Sequence, residues 1–188
     1  MEFSELLKKR RSIRLYQEKD VSTELVKEVI AEASLAPSSG NGQPWKFIIV
    51  NDREMIKRIS DESKSALLAD IDKNPNSPAK KYEDTLKNDA FNVFYNAPCL
   101  VLIVGEKKFR SLAIDCTLAA TYFMFSATAK GLGTCWIGLG SHVLDDKLRS
   151  EIGLTDGLSI VAPIVIGYPE MIPDPTERNV PYILKVIE

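Results

Sequence analysis

The chain has 188 residues, of which 45% are hydrophobic and 27% are charged, a composition that is typical of a globular domain and excludes a disordered, collagen-like or coiled-coil chain. Its formal net charge of −2 provides no overall attraction to nucleic acid or to an anionic membrane, so recognition of an anion requires a local cluster of Lys and Arg. The length fits a single domain, which we place over residues 1–188.

Apolar residues at helical spacing predict helices over residues 4–11 and 22–36, the second capped by Ser22 and ended by Pro37. After a loop, the β-branched run at residues 47–50 predicts a strand, and a helix follows from about Arg53. Polar residues with two prolines then interrupt the pattern over residues 67–82. This interruption predicts a mobile excursion or a lid.

In the second half, strands are predicted at residues 99–104, 134–137 and 159–166, with a last candidate strand at residues 180–187. Helices are predicted over residues 109–130 and 143–152. Strands and helices alternate without the steady rhythm of a doubly wound fold. The pattern therefore predicts an α+β fold with a mixed central sheet flanked by helices.

The helix at residues 109–130 contains the most apolar stretch of the chain, residues 112–129. This stretch includes Asp115 and has no flanking interfacial pattern, so we predict a buried helix, with a second use as a dimer interface, and no membrane span. Residues 1–9 lack the apolar run of a signal peptide. The three cysteines show no CxxC or Cys/His spacing, which argues against a zinc site and favours a cytoplasmic location.

A basic segment, residues 8–14, places five positive charges in seven residues: Lys8, Lys9, Arg10, Arg11 and Arg14. A helical turn or a tight helix end would bring Arg10 and Arg14 to one side, where both guanidinium groups can bind phosphate oxygens, with Ser12 as a neutral donor. Taken alone, such a run of charge is more often a solvated surface. The assignment to phosphate therefore depends on the other motifs.

The second motif is the 37–45 loop, Pro-Ser-Ser-Gly-Asn-Gly-Gln-Pro-Trp. Its glycines permit close approach of the backbone to a ligand, and Ser38, Ser39 and Asn41 offer hydroxyl and amide groups to the carbonyls and ring nitrogens of a planar heterocycle such as a flavin. Ordinary turns use the same residue types. Both interpretations stay open from this loop alone.

The third motif is the glycine-rich stretch at residues 131–140. It does not fit a dinucleotide-binding fingerprint, because a long helix precedes it instead of a strand. Its glycines would let a backbone N–H near Gly138 approach a ligand, with Trp136 as an apolar wall; a helix stop followed by a core strand explains them equally well. Since His142 has no evident triad partner, we expect a cofactor to supply the chemistry.

Together these motifs give the chain an end-to-end resemblance to the FMN-dependent nitroreductase family. The resemblance rests on Arg-Arg-Ser-x-Arg at residues 10–14, on Pro-Ser-Ser-x-Asn-x-Gln-Pro-Trp at 37–45, on a helix that ends in Gly-Leu-Gly at 131–133, and on Gly-Tyr-Pro at 167–169 followed by Arg178. Each motif is weak alone, whereas their order and spacing are specific.

The resemblance implies a nitroreductase-like, domain-exchanged homodimer with two sites at the subunit interface. The FMN phosphate and ribityl chain would contact the basic segment, with a further contact from the C-terminal end: Arg10, Arg11, Ser12, Arg14 and Arg178. The flavin would meet the 37–45 loop of the other subunit through Pro37, Ser38, Ser39 and Asn41. Trp136, Ile137 and Gly138 would line the ring, with the Gly138 amide directed toward N5.

The same resemblance implies a ping-pong reaction in which hydride passes from NADH or NADPH through flavin N5 to a nitroaromatic, a quinone or a similar acceptor. It needs no acid or base from the protein, so no residue is predicted to be catalytic and none to bind a metal. The expected partners are a second copy of the chain and a small-molecule acceptor, with no nucleic acid and no membrane. The alternatives are a specialised flavin reductase, such as a reductive dehalogenase, and a flavin-binding sensor without turnover.

Overall fold

The computed structural model describes residues 2–188, in which apolar periodicity, caps and turn residues delimit six helices and four strands. The helices are α1 Phe3–Lys9, α2 Thr23–Ala33, α3 Arg53–Lys73, α4 Glu83–Lys87, α5 Leu112–Ala129 and α6 Asp146–Glu151. The strands are β1 Lys46–Val50, β2 Cys99–Glu106, β3 Gly133–Trp136 and β4 Leu158–Gly167. Short 3₁₀ turns lie at Ser39–Asn41, Pro78–Tyr82 and Gly138–Ser141.

The four strands form one sheet in the order β1-β2-β4-β3, and each neighbouring pair is antiparallel. The α+β prediction is confirmed. The predicted mixed character is limited to one isolated parallel bridge, between Ser12 and Thr134, which extends the β3 edge of the sheet. The sheet therefore has the basic segment at one edge and β1 at the other.

Helices cover both faces of the sheet because its central strands are apolar on both sides. On one face, Leu100 and Leu102 of β2 pack in a cluster with Ile56 and Ile59 of α3. On the other face, the neighbouring β2 residues pack with α2 and α5, whose buried side chains include Val29 of α2. Since side chains alternate along a strand, one strand can serve two apolar layers. The result is a helix–sheet–helix arrangement.

The prediction of irregular structure over residues 67–82 was wrong for residues 67–73, while no regular α-helix or strand forms over residues 74–82. Helix α3 continues to Lys73, and Leu67 and Ile71, four residues apart, are 4% and 3% exposed in the core. The prolines lie beyond the helix end, where Ser77 caps the following 3₁₀ turn. The polar residues up to Lys73 lie on the outer face of an amphipathic helix, and those after it belong to the connection that follows.

Residues 180–187, a candidate strand in the sequence, pair with no strand in the part of the chain that the structure describes. They belong to a C-terminal arm, residues 170–188, that is extended and mostly exposed. Val180 and Tyr182 are each 88% exposed, and Leu184 is 85% exposed. A strand requires an edge with free backbone groups beside it, and the arm does not return to the sheet of its own chain.

Helix α5 has the length and apolar character of a membrane-spanning helix. Core helices meet the same criteria, and one side of α5 is buried against the sheet, with Ala119 and Phe123 at 0% exposure. The opposite side of the helix is also apolar but remains open, with Ile114 at 67% and Tyr122 at 42% exposure. The helix thus presents a second apolar face outside its own core.

Candidate functional site

Residues 10–14 of the basic segment are extended where the sequence suggested a helical turn. Helix α1 ends at Lys9, and Arg10 has extended backbone angles. The backbone N–H of Ile13 then donates to the carbonyl oxygen of Thr134 in β3, at 2.9 Å. In extended backbone, alternate residues share a side, so Arg10, Ser12 and Arg14 lie on the same side, with Arg10 and Arg14 about 13 Å apart along the chain.

The side chains of the basic segment divide between two environments. Arg10, Ser12 and Arg14 all lie close enough to Cys135 to influence its thiol, whose pKa is raised by burial and lowered in part by Arg14, Ser12 and Arg10. Arg11 lies apart from this group and donates to the carbonyl oxygens of Lys8 and Arg10, at 2.6 and 2.7 Å. Three of the four predicted residues therefore lie near Cys135, and Arg11 braces the backbone that carries them.

Two tyrosines surround the Arg14 side chain. The Tyr16 hydroxyl donates to the carbonyl oxygen of Ile13, at 2.7 Å, and burial raises the pKa of Tyr16 above its ordinary value. The ring of Tyr95 lies 5.7 Å from the guanidinium carbon of Arg14. Sequence reasoning missed Tyr95, because the turn that brings it to Arg14 carries no motif.

The positive charge of the segment is not neutralised within the chain. Among residues 2–188, Arg10, Arg11 and Arg14 form no ion pair with a carboxylate. Arginines in such a cluster favour an anion with several oxygens, which can accept from their planar N–H groups in pairs. The segment can therefore bind a phosphate group.

The 37–45 loop has an ordered, strained conformation. Gly40, Asn41 and Gln43 have φ angles of 56°, 56° and 42°, in the left-handed region that non-glycine residues rarely adopt. Ser38 is half-buried, whereas Pro37, Ser39 and Asn41 are exposed. The loop thus presents polar side chains from a fixed backbone, which is the arrangement that a ligand contact requires.

The glycines of the glycine-rich stretch have two different roles: some are required by the fold, and Gly138 leaves open space beside the backbone. Gly131, with φ 78°, ends α5, and a Cβ on Gly133 would lie 2.6 Å from the Ile13 side chain. Gly138 is different, because a Cβ there would meet no atom within 4 Å. Ile137 is buried and Trp136 is half-buried beside it. The space at Gly138 is open to a ligand, while the glycines before it serve the fold.

The predicted residues occupy opposite corners of the sheet. The 37–45 loop leads into Lys46 of β1, which lies level with Val104 and Ile160, whereas Ser12 pairs with Thr134, level with Ile166 on the far edge. Four strand spacings of about 4.8 Å and six residues of about 3.3 Å put the two corners about 28 Å apart. One chain does not bring these two groups together.

Arg178 lies in the exposed C-terminal arm, and its side chain forms no hydrogen bond or ion pair with any residue in the described range 2–188.

Asp115 is, after Tyr95, a second residue that the motifs did not identify. It is 2% exposed and accepts a hydrogen bond from the backbone N–H of Ser39, at 3.0 Å. A carboxylate inside the most apolar helix of the sequence was the available signal.

Solved structures share this architecture. A nitroreductase with bound FMN from Bacteroides fragilis superposes with a TM-score of 0.82 at 22% identity, covering 100% of this chain and 98% of that one. An FMN-dependent nitroreductase from Clostridium difficile R20291 is 30% identical, with a TM-score of 0.65 and coverage of 92% and 90%.

Sequence relatives agree. A protein of Archaeoglobus fulgidus whose name joins NADH dehydrogenase with NAD(P)H nitroreductase is 28% identical over 167 residues, which cover 86% of this chain and 82% of that protein. Mouse iodotyrosine deiodinase 1 is 27% identical over 194 residues, covering 89% of this chain and 62% of the deiodinase. The family model described as the Nitroreductase family matches residues 7–168. The chain belongs to the Nitroreductase family.

Proposed function

We propose that this chain, an oxidoreductase of the Nitroreductase family, binds FMN and uses NADH or NADPH to reduce a small electron-poor acceptor such as a nitroaromatic or a quinone. When bound, FMN would supply the redox chemistry by relaying hydride from the nicotinamide to the acceptor in a ping-pong cycle. The observation that carries the proposal is the un-neutralised cluster of Arg10, Ser12 and Arg14 on an extended edge of the sheet. It meets the requirements of the cofactor's phosphate end.

The residues at the other motifs fit the remaining parts of the cofactor. Gly138, with open space at its α-carbon, is the position at which a backbone amide can approach the flavin ring, at the start of the 3₁₀ turn that follows Trp136 and Ile137. Ser38, Ser39 and Asn41 offer hydrogen-bonding groups from a strained and therefore preorganised loop. Pro37 is exposed beside them. Arg178 would add a phosphate contact from the arm, and Arg11 would support the backbone of the phosphate end.

A homodimer would complete this site. The 37–45 loop and the basic segment are about 28 Å apart in one chain, so both can contact one FMN only if a second copy supplies one of them. The open apolar face of α5, with Ile114 67% exposed, and the apolar side chains of the C-terminal arm are suited to such an interface. We propose two equivalent sites between the subunits, each with groups from both copies, and a cytoplasmic protein whose free cysteines are all buried.

A spectrum of the purified protein tests this function. We expect flavin absorbance bands, bleaching of these bands when NADH or NADPH is added without oxygen, and their return when a nitroaromatic or a quinone follows. A colourless protein that neither binds added FMN nor gains NAD(P)H oxidation from it would contradict the proposal. Bound flavin that NAD(P)H fails to reduce would favour a sensor.

The similarity to mouse iodotyrosine deiodinase 1 favours one second candidate, a reductive dehalogenase on the same scaffold. The two candidates differ in the acceptor. Reduced protein would be mixed in separate anaerobic reactions with a nitroaromatic and with a halogenated phenol, and the rates of flavin reoxidation compared. Faster reoxidation by the halogenated phenol, with release of halide, would favour the second candidate.

A further inference from the structure

The 37–45 loop contains a run of left-handed backbone that Gly40 and Asn41 adopt readily but that Gln43 does not favour. Within four residues, Gly40, Asn41 and Gln43 adopt left-handed φ angles of 56°, 56° and 42°. Such a run persists only when surrounding contacts determine it, and it is found most often at ligand-binding positions. The contacts that fix this loop therefore bear on its function.

Most of these contacts lie inside the loop. The Ser38 hydroxyl accepts from the backbone N–H of Gln43, at 3.0 Å, and the Gln43 amide donates to Asn41 Oδ1, also at 3.0 Å. Only one hydrogen bond within residues 2–188 joins residues 38–43 to another element. The donor is the backbone N–H of Ser39, and the acceptor is Oδ1 of Asp115 in α5, 3.0 Å away.

Asp115 is an unusual residue for its place. It is 2% exposed in a helix whose neighbouring buried side chains, Cys116 and Ala119, are small and neutral. Its second oxygen, Oδ2, is also buried and has no hydrogen-bond partner in the described part of the chain. Burial of a carboxylate with an unpartnered oxygen opposes folding. The helix dipole favours an acidic side chain in the first turn of α5 but does not require it to be buried, whereas the anchoring of the loop accounts for a buried oxygen facing Ser39.

We propose that Asp115 is the positioning residue of the flavin-binding loop. Its Oδ1 holds the Ser39 backbone against the first turn of α5, and this contact orients Ser39 and Asn41 toward the flavin that the second subunit holds at its basic segment. The inference rests on the proposed function. Asp115 itself contacts neither cofactor nor substrate in this assignment, and acts through Ser39.

Two substitutions separate the anchoring bond from the negative charge. Asp115→Asn keeps an oxygen that can accept from Ser39 N, whereas Asp115→Ala removes it. The matched control is Ser126→Ala, which removes a different hydrogen bond of the same helix, from Ser126 Oγ to Glu32 at 2.6 Å. If Asp115→Ala does not fold, Asp115→Ser replaces it, because the shorter side chain does not reach Ser39.

We expect Asp115→Ala to weaken FMN binding about tenfold, the usual effect of one lost hydrogen bond to a charged group, and to change the shape of the flavin absorbance bands. Asp115→Asn and Ser126→Ala are expected to stay within about threefold of the wild-type affinity. In the protein without FMN, exchange of the Ser39 amide hydrogen should accelerate in Asp115→Ala but not in Ser126→Ala.

The outcomes distinguish this inference from the proposed function. A wild-type protein that does not bind FMN contradicts the proposed function, while the amide exchange of Ser39 still reports on the anchor. If the wild type binds FMN and Asp115→Ala binds it equally well, the inference alone is wrong. It is also wrong if Asp115→Asn loses as much affinity as Asp115→Ala, because the charge and not the Ser39 bond would then matter.

Discussion

The guanidinium carbon of Arg14 lies 5.7 Å from the centre of the Tyr95 ring, so a residue just before β2 contacts the basic segment beside β3. Tyr95 and Asn96 have φ angles of 54° and 52°. The turn that carries them is closed by two backbone hydrogen bonds, from Tyr95 N–H to the Asn92 carbonyl oxygen at 2.9 Å and from Ala97 N–H to the Phe94 carbonyl oxygen at 3.0 Å. The Tyr95 ring thus limits the orientations of the arginine.

Replacement of this ring should loosen Arg14. Tyr95→Leu removes a cation–π contact, which contributes about 0.5–1 kcal/mol at a partly exposed position, so we expect FMN affinity to fall about two- to fivefold. Tyr95→Phe keeps the ring and should change affinity by less than about twofold. Titration by quenching of flavin fluorescence measures both. Equal losses in the two variants would show that the hydroxyl, not the ring, is important.

Arg14→Ala should affect FMN binding far more than folding. Arg14 is exposed and forms no ion pair within residues 2–188, so we expect the free energy of unfolding to fall by no more than about 1 kcal/mol, the value of its contact with the Tyr95 ring. Loss of a charge-assisted contact to phosphate should weaken FMN binding about 10- to 100-fold. Arg110→Ala, at another exposed arginine, is the control. Riboflavin lacks the phosphate, and an equal loss of affinity for riboflavin would contradict the assignment.

Substitution by alanine should reduce the stability of the protein at Gly133 but not at Gly138. At Gly133 the new Cβ would lie 2.6 Å from Ile13, which is 3% exposed, and we expect a destabilisation of about 1–3 kcal/mol in urea unfolding. At Gly138 the Cβ enters open space. Gly138→Ala should therefore keep its stability and change only the flavin's spectrum or its rate of reduction. Similar stability losses at both positions would contradict this account.

Buried thiols should make the protein sensitive to alkaline pH. Burial raises the pKa of Cys99 to about 12 and that of Cys116 to about 11, from an ordinary value of 9.0. The pKa of each thiol is higher in the folded protein than in the unfolded chain. The folded state therefore has its full stability below the unfolded pKa, and this stability is lost as the pH rises through the folded pKa. Between pH 9 and 11 we expect a loss of up to about 1.4 kcal/mol per pH unit for each thiol. Urea unfolding at several pH values measures it, and Cys99→Ala should have a smaller slope.

The sequence predicts an element of this fold when the interactions that form the element are local in the chain. Helix α2, whose Ser22 cap accepts a hydrogen bond from Leu25 N–H at 3.2 Å, and the apolar strand β2 follow from capping and periodicity. The extended form of residues 10–14 did not, because it depends on pairing with Thr134, more than 100 residues later. Local patterns contain no information about such a partner.

The candidate site also contains some residues that the sequence identifies and others that only long-range packing places there. Arg10, Ser12 and Arg14 were identified by residue type and order, and the structure brings these three together. Tyr95 was missed because only the folded turn places it at Arg14. Arg11 belongs to the same motif, but the two carbonyl groups that it contacts turn it away. A motif therefore specifies which residues are available, and long-range packing determines which of them face a ligand.

The C-terminal arm should determine the oligomeric state. Its apolar side chains are exposed in one chain, with Tyr182 at 88% and Leu184 at 85%, so deletion of residues 174–188 removes no core contact. Each such side chain contributes about 1.5–3 kcal/mol when it is buried. We therefore expect the deletion to raise the dimer dissociation constant at least about 100-fold, and to reduce FMN binding in parallel, because each site needs both copies.

A matched pair of substitutions tests the same interface without shortening the chain. Ile114 on the open face of α5 is 67% exposed, and Leu144, before α6, is 68% exposed. Ile114→Asp should weaken the dimer in sedimentation experiments, since the charge would be buried between subunits, whereas Leu144→Asp should not. A wild-type protein that sediments as a monomer while it holds one FMN per chain would contradict the two-subunit site, and with it the need for the arm.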